Sequence, residues 1–541
     1  MAYLEGLMMD YPLDVGVIWR RAEQYFGHKP VVSELPDRTL HRSNYGEVLD
    51  RAARLGAALM EMGIEPGDRV ATFMWNSYHH LELYFAVPAI GAVLHTVNLR
   101  LHAQDLVYIF NHADDKIIFV DRTVLALIAP IRDRLSAREI VVVDEGETAP
   151  PGFLSYQDLV RGGAADRFQF RIADERQAAA LCYTSGTTGR PKGVLYSHRS
   201  TVLHALGTTN AEGGLGVVEA DVISPMVPMF HVNAWGLPWV AALQGAALAL
   251  PGRHLDPASL LQLFAEERVT ITAGVPTVWI GVLQLLDQDP GRYDVSSIRY
   301  MLVGGAAMPA AIMRAFWERH HIRVIHAWGM TETSPLGSIS TLKSDLIQTD
   351  ADTRYRYLAT QGQATALVEM RIRDDEGRAL PWDGQAQGEL EVRGPWIARS
   401  YFALEEGDDR FTSDGWFRTG DLVTIEPRGY MTIQDRSKDV IKSGGEWISS
   451  VALENAIMGH PSVLEAAVIG MPDERWGERP LAVAVLKPGE RLTLEEVREY
   501  LKPHFASWWL PDRLEIADAI PRSAAGKFQK TELRRKFIGA S

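Results

Sequence analysis

A single cysteine, Cys182, stands among 541 residues. The chain therefore cannot close an intrachain disulfide or bind zinc through thiolates, which suits a reducing cytoplasm. Cys182 lies in the apolar run Ala178–Cys182 and is expected to be inert packing. Basic excess is also missing: 55 Lys and Arg stand against 69 Asp and Glu, a net charge of −14, which disfavours nucleic acid as the main partner. The longest apolar stretch, Trp235–Leu250, is interrupted by Gly236, Pro238, Gln244 and Gly245. It is too short for a bilayer and reads as a buried helix followed by a strand. The first ten residues lack the basic and apolar regions of a signal peptide, and Ile538–Ser541 carries no targeting address. No Gly-Lys-[Ser/Thr] Walker loop, G-x-S-x-G elbow or H-E-x-x-H helix occurs, and His79-His80 and His320-His321 lack metal-ligand spacing.

The strongest positive signal is Tyr183-Thr-Ser-Gly-Thr-Thr-Gly-Arg-Pro-Lys-Gly193, directly after an apolar run. Its glycines let backbone N–H groups approach an anion, its hydroxyls add donors and Lys192 adds charge. Such a loop is built for a polyphosphate.

A length of 541 residues predicts two to four domains. Helical and strand periods alternate: helices over 43–62 and 79–90, strands over 69–74, 116–121 and 139–144, and a helix over 123–135. This implies layered α/β architecture with largely parallel sheets. Beyond about residue 385 the pattern turns to short strands over 388–393, 417–419, 422–426 and 430–434. A polar break at Asp435-Arg436-Ser437-Lys438-Asp439 then precedes a compact α+β stretch: a helix over 450–459, strands over 464–470 and 481–486, and a helix over 494–505. The expected division is 1–434, a hinge at 435–439, and 440–541.

Five further segments stand out. Pro228–Trp235 sets His231 and Trp235 in apolar surroundings. Val303–Ala307 puts small residues at a strand end. Val324–Thr333 joins a strand to a loop carrying Trp328, Thr331 and Glu332, a hard oxygen ligand suited to Mg2+. Asp414–Asp421 ends in a carboxylate fit for ribose hydroxyls, and Asp435–Ser449 combines a basic run with a Gly-Gly turn. Far downstream, Gly526-Lys527 sits in a polar tail.

In this order the motifs resemble the adenylate-forming superfamily of acyl-CoA synthetases, luciferases and peptide-synthetase adenylation domains, along nearly the whole chain. The strings Val227–Trp235 and Ile441–Ser450 are most similar to bacterial medium- and long-chain fatty-acyl-CoA synthetases and methylmercaptopropionate-CoA ligases. The resemblance implies a large N-terminal AMP-binding domain with a β-rich subdomain and a small mobile α+β C-terminal domain. It also implies conversion of an acid to acyl-AMP and then to acyl-CoA, using ATP, Mg2+ and coenzyme A.

By the same resemblance, Thr184, Ser185, Gly186, Thr187, Thr188 and Lys192 hold the β- and γ-phosphates. Gly305, Ala306, His326, Ala327, Trp328 and Gly329 form the adenine pocket, with Trp328 against the base. Thr331 meets the α-phosphate, Glu332 and Ser185 serve the metal, and Asp421, Arg436 and Lys438 bind the nucleotide. Lys527 neutralises charge during adenylation. The small domain turns about Asp435, after which Lys442, Gly444, Gly445 and Trp447 admit the pantetheine arm. His231, Val232 and Trp235 line the acyl pocket, and His231 replaces the Asp that amino-acid-activating relatives use, which favours an unsubstituted acyl chain. Residues 361–366 depart from the relatives' proline-containing pattern. Short-chain, methylmercaptopropionate and aryl acids, and a luciferase-like oxygenase, remain the alternatives. A homodimer is compatible with this reading.

Overall fold

The computed structural model describes residues 4, 6–143, 148–184, 190–210, 214–403, 408–436, 439, 441–443, 446–522 and 528–539. Two large sheets sandwich a layer of helices. In the first, strands run in the order Leu154–Ser155, Glu139–Val143, Asp115–Asp121, Arg69–Phe73, Val93–Thr96, Ala178–Tyr183 and Gly193–Ser197. All neighbours are parallel except the last pair. The second sheet has nine strands, of which Arg323–Gly329, Tyr300–Val303, Ile271–Gly274, Val222–Pro225, Ala247–Leu250 and Pro30–Glu34 form a parallel centre.

The helix Tyr78–Ala89 is buried along its entire length, as a helix between two sheets must be. With Tyr45–Glu61 it packs against side chains of both sheets in one core. Asn44 and Ser77 start these helices by accepting from the backbone N–H of Glu47 and His80.

The β-rich part is a four-stranded antiparallel sheet, Glu369–Arg373, Gln387–Arg393, Phe417–Ile425 and Met431–Arg436. It begins before residue 385. The strands expected over 417–419 and 422–426 are one strand, bulged where Glu389 and Glu391 face Leu422 and Arg418. Gly420 sits in the bulge at φ +75°, a conformation glycine adopts without strain.

Residues 123–135 do not form one helix. They make three short turns, Arg122–Val124, Leu125–Ile128 and Ala129–Arg134, because Pro130 can neither donate an N–H nor follow an uninterrupted helix. The helix expected to reach 505 ends at Leu501, two residues before Pro503.

The C-terminal part is a five-stranded sheet built around Val463–Asp473 and Gly477–Leu486, with Ser450–Met458 and Lys530–Ile538 against it. Among the described residues no helix is long and apolar enough to cross a membrane.

Candidate functional site

The expected site residues Ser185, Gly186, Thr187, Thr188, Lys438, Gly444, Gly445 and Lys527 lie outside the described residues. The stems of the glycine-rich loop are described. Thr184 N–H donates to the Lys192 carbonyl at 2.9 Å, and Lys192 N–H returns a bond to Thr184 Oγ1 at 3.1 Å. Lys192 Nζ lies 2.7 Å from Asp408 Oδ2 and 4.6 Å from the centre of the Tyr401 ring. Cys182, at the foot of the loop, is buried, and burial pushes its thiol up to about 11, which matches inert packing.

On the facing sheet, Arg323–Gly329 delivers the next group. His326 is buried, with Nδ1 3.1 Å from the Ala359 carbonyl and Nε2 3.3 Å from that of Ala306. Its ring fastens the small-residue loop, where Gly305 adopts φ +81°. Trp328 is 6% exposed and packs with Met370, Val392 and Phe417, while its indole N–H donates to Asp421 Oδ2 at 2.9 Å. The bulge at Gly420 is what turns Asp421 towards it. Thr331 and Glu332 follow in a single 3-10 turn, where Tyr196 OH donates to the Thr331 carbonyl at 2.7 Å.

Glu332 is 3% exposed. Its Oε1 accepts from Tyr401 OH at 2.6 Å and lies 3.3 Å from Arg410 Nη1. Its carbonyl accepts from Ala398 N–H at 2.8 Å. Among the described residues no cluster of three His, Cys, Asp or Glu could cage a metal. A lone buried carboxylate nonetheless fits Mg2+, which takes one or two protein oxygens and completes its shell with phosphate oxygens and water. Tyr401, Asp408 and Arg410 escaped sequence reasoning. They sit in and beside an acidic stretch with no recognisable spacing, roughly seventy residues from Glu332.

The segment expected to line the acyl pocket, Val232–Trp235, has a geometry that composition does not announce. Val232, Asn233, Ala234 and Trp235 all take left-handed φ values, +46°, +51°, +50° and +57°, a conformation that costs about 1–2 kcal/mol per non-glycine residue. The turn is held by Ala234 N–H to the His231 carbonyl and by Cys182 Sγ to Asn233 Oδ1 at 3.3 Å. Val232, Asn233 and Ala234 are buried, and the Trp235 indole lies against Gly304, where an added Cβ would come within 3.0 Å of it. The turn Val232–Trp235 thus meets the loop bearing Gly305 and Ala306.

At the expected hinge, Asp435 and Arg436 pair through their backbones with Leu422 and Asp421, so the strand carries on past residue 434. Asp435 Oδ2 accepts from Ser450 N–H at 2.9 Å and Ser450 Oγ at 2.5 Å. Ser450 Oγ also bonds Lys530 Nζ, which lies 2.8 Å from Glu454 Oε1. Lys442 and Trp447 are backbone partners in a hairpin, and Lys442 N–H donates to Glu478 Oε2 at 2.9 Å.

Residues 18–402 match the model of the AMP-binding enzyme family and residues 452–527 that of the AMP-binding enzyme C-terminal domain. A long-chain-fatty-acid–CoA ligase of Thermus thermophilus is 47% identical, over 98% of this chain and 96% of its own. A 3-methylmercaptopropionyl-CoA ligase of Ruegeria lacuscaerulensis is 44% identical over 99% of both, and a medium-chain-fatty-acid–CoA ligase of Ectopseudomonas oleovorans is 44% identical over 98% and 97%. Among solved structures, an anthranilate CoA ligase in complex with anthranoyl-AMP superposes with a TM-score of 0.87 at 26% identity, covering 97% of this chain and 98% of its own.

Proposed function

Since the chain belongs to the AMP-binding enzyme family and is an AMP-forming acid–thiol ligase, we propose that its acid is a medium- or long-chain fatty acid and that the residues above divide the two half-reactions. In the first, a carboxylate oxygen attacks the α-phosphorus of ATP and pyrophosphate leaves. In the second, the thiol of CoA attacks the acyl carbon of acyl-AMP, the thiol proton is released and AMP departs. Activation is needed because a free carboxylate offers only oxide as a leaving group.

Lys192 and the glycine-rich loop take the departing pyrophosphate, Thr331 the α-phosphate, and Asp421, held by Trp328, the ribose. Glu332 would hold Mg2+, which would supply charge neutralisation for the phosphates. Lys527 neutralises the meeting anions in the first step and leaves when the C-terminal part turns about Asp435. Lys527→Ala is expected to abolish adenylation while thioester formation from supplied acyl-AMP persists; equal loss of both refutes the role.

The observation that carries the acyl assignment is the turn Val232–Trp235, whose side chains are all uncharged and whose Trp235 indole lies against Gly304. For CoA, a cleft of about 680 Å3 is lined by Arg38, Arg100, Arg253 and Trp75 together with the carboxylates Asp37 and Asp256, so that guanidinium groups outnumber carboxylates. Trp75 packs on Phe230, 6.4 Å between ring centres, next to His231. We assign the phosphates of CoA to this cleft. Arg100→Ala is expected to raise KM for CoA and leave that for ATP unchanged.

The deciding experiment is a pyrophosphate-release assay over acids from C2 to C18, with thioether and aryl members. Highest kcat/KM at C8 or longer supports the assignment; a preference for short, thioether or aryl acids overturns it.

A further inference from the structure

One short turn, residues 408–411, reaches both charged groups of the nucleotide site. Asp408 Oδ2 lies 2.7 Å from Lys192 Nζ, and Arg410 Nη1 lies 3.3 Å from Glu332 Oε1. Tyr401 links the two pairs. Its hydroxyl bonds Glu332 at 2.6 Å, and its ring centre lies 4.6 Å from Lys192 Nζ and 5.6 Å from Arg410 Cζ. The turn is braced from within. Arg410 N–H donates to Asp408 Oδ1 at 3.0 Å, Phe411 N–H to the Asp408 carbonyl at 3.2 Å, and Arg418 N–H to the Arg410 carbonyl at 2.7 Å. Asp408 and Arg410 are therefore held in register with each other.

The signs match what the site must bind. A carboxylate faces the lysine assigned to phosphate, and a guanidinium faces the carboxylate assigned to the metal. Both assignments rest on the function proposed above. We propose that Asp408 and Arg410 are positioning residues that serve as internal counter-ions, Asp408 in place of a phosphate on Lys192 and Arg410 in place of Mg2+ on Glu332, displaced when nucleotide arrives.

The energetics favour exchange in that direction. Glu332 is 3% exposed, and a buried carboxylate without a partner is costly, so Arg410 and Tyr401 supply its partners and hold it aimed. The Lys192 side chain is 37% exposed and that of Asp408 is 9% exposed, so solvent screens the lysine end of the pair and leaves its ammonium open to a competing anion. A polyphosphate carrying several charges at the same position outcompetes a single carboxylate. Asp408 and ATP thus compete for one ammonium, and Arg410 and Mg2+ for one carboxylate.

The test is calorimetric binding of ATP to the full chain in EDTA and in Mg2+. Asp408→Asn keeps an acceptor for the backbone N–H of Arg410 but removes the charge. It is expected to tighten metal-free ATP binding about threefold, and to change nothing in a Lys192→Ala background. Arg410→Gln is expected to increase the ratio of Kd in EDTA to Kd in Mg2+ several-fold, an increase that vanishes in a Glu332→Gln background. Weaker or unchanged ATP binding by Asp408→Asn, or an unchanged or smaller ratio for Arg410→Gln, overturns the proposal. If Lys192→Ala binds metal-free ATP as the parent does, the nucleotide assignment itself falls. If Lys192→Ala weakens binding and Asp408→Asn has no effect, only the counter-ion role falls. Melting temperatures of the variants identify any that are misfolded, and the background comparisons separate competition from a structural effect.

Discussion

The indole N–H of Trp328 donates to Oδ2 of Asp421 at 2.9 Å, across 93 positions of sequence. The bond joins the end of a parallel strand in the large domain to a bulge in the β-rich sheet. The carboxylate assigned to ribose is thus aimed by the aromatic residue assigned to adenine. Trp328→Phe, which keeps an aromatic ring but removes the donor, is expected to raise KM for ATP about fivefold with little change in kcat. Asp421→Asn should raise it roughly tenfold, since a neutral acceptor binds a hydroxyl less strongly. Isothermal titration with ATP checks both; unchanged affinity in both variants dissociates the pair from nucleotide binding.

Trp235 is held across Gly304 by a left-handed turn. Trp235→Ala is expected to move the preferred acid to longer chains in the pyrophosphate-release panel. Gly304→Ala, whose Cβ would meet the same ring, should alter the profile by displacing the indole. An identical chain-length profile in both variants removes Trp235 as the determinant.

Three buried histidines set an acid limit on stability. Burial lowers His80, His198 and His204 from 6.5 to about 4. His204 Nε2 accepts from Leu336 N–H at 3.3 Å, which requires the neutral ring. As pH falls through 6.5 the unfolded chain takes up protons that the folded chain refuses until about 4. Stability present above 6.5 is therefore lost across that window, by about 1.4 kcal/mol per pH unit for each histidine. Urea unfolding from pH 7.5 to 4.5 should show stability falling with pH, and His204→Gln should reduce the slope by about 1.4 kcal/mol per pH unit.

Asp435 accepts two bonds from Ser450, which also meets Lys530, three residues beyond Lys527. Asp435→Ala leaves the Ser450 N–H without this acceptor, at a cost of about 1–3 kcal/mol. Looser seating of the C-terminal part is expected to slow thioester formation more than adenylation, so acyl-AMP accumulates in quenched reactions. An unchanged ratio of the two half-reactions excludes Asp435 from domain positioning.

Sequence alone determined the fold class, the order of the motifs and the family, because glycine-rich turns, strand-end small residues and alternating helix and strand periods are local signals. It also placed Thr331 and Glu332 in the turn after a strand, whereas Asp421, expected on a loop, lies within the strand Phe417–Ile425 beside its bulge. It missed the left-handed turn at 232–235, since Val, Ala and Trp disfavour positive φ, Asn233 alone tolerates it readily, and surrounding contacts impose it on the others. It divided Phe417–Ile425 in two, because a bulge at Gly420 looks like a break when no partner strand is in view. The contacts of Tyr401, Asp408 and Arg410 with Lys192 and Glu332 were decided by tertiary structure alone. Charges far apart in the chain become partners only when two sheets and a connecting turn bring them within hydrogen-bond distance, and no spacing rule records that approach.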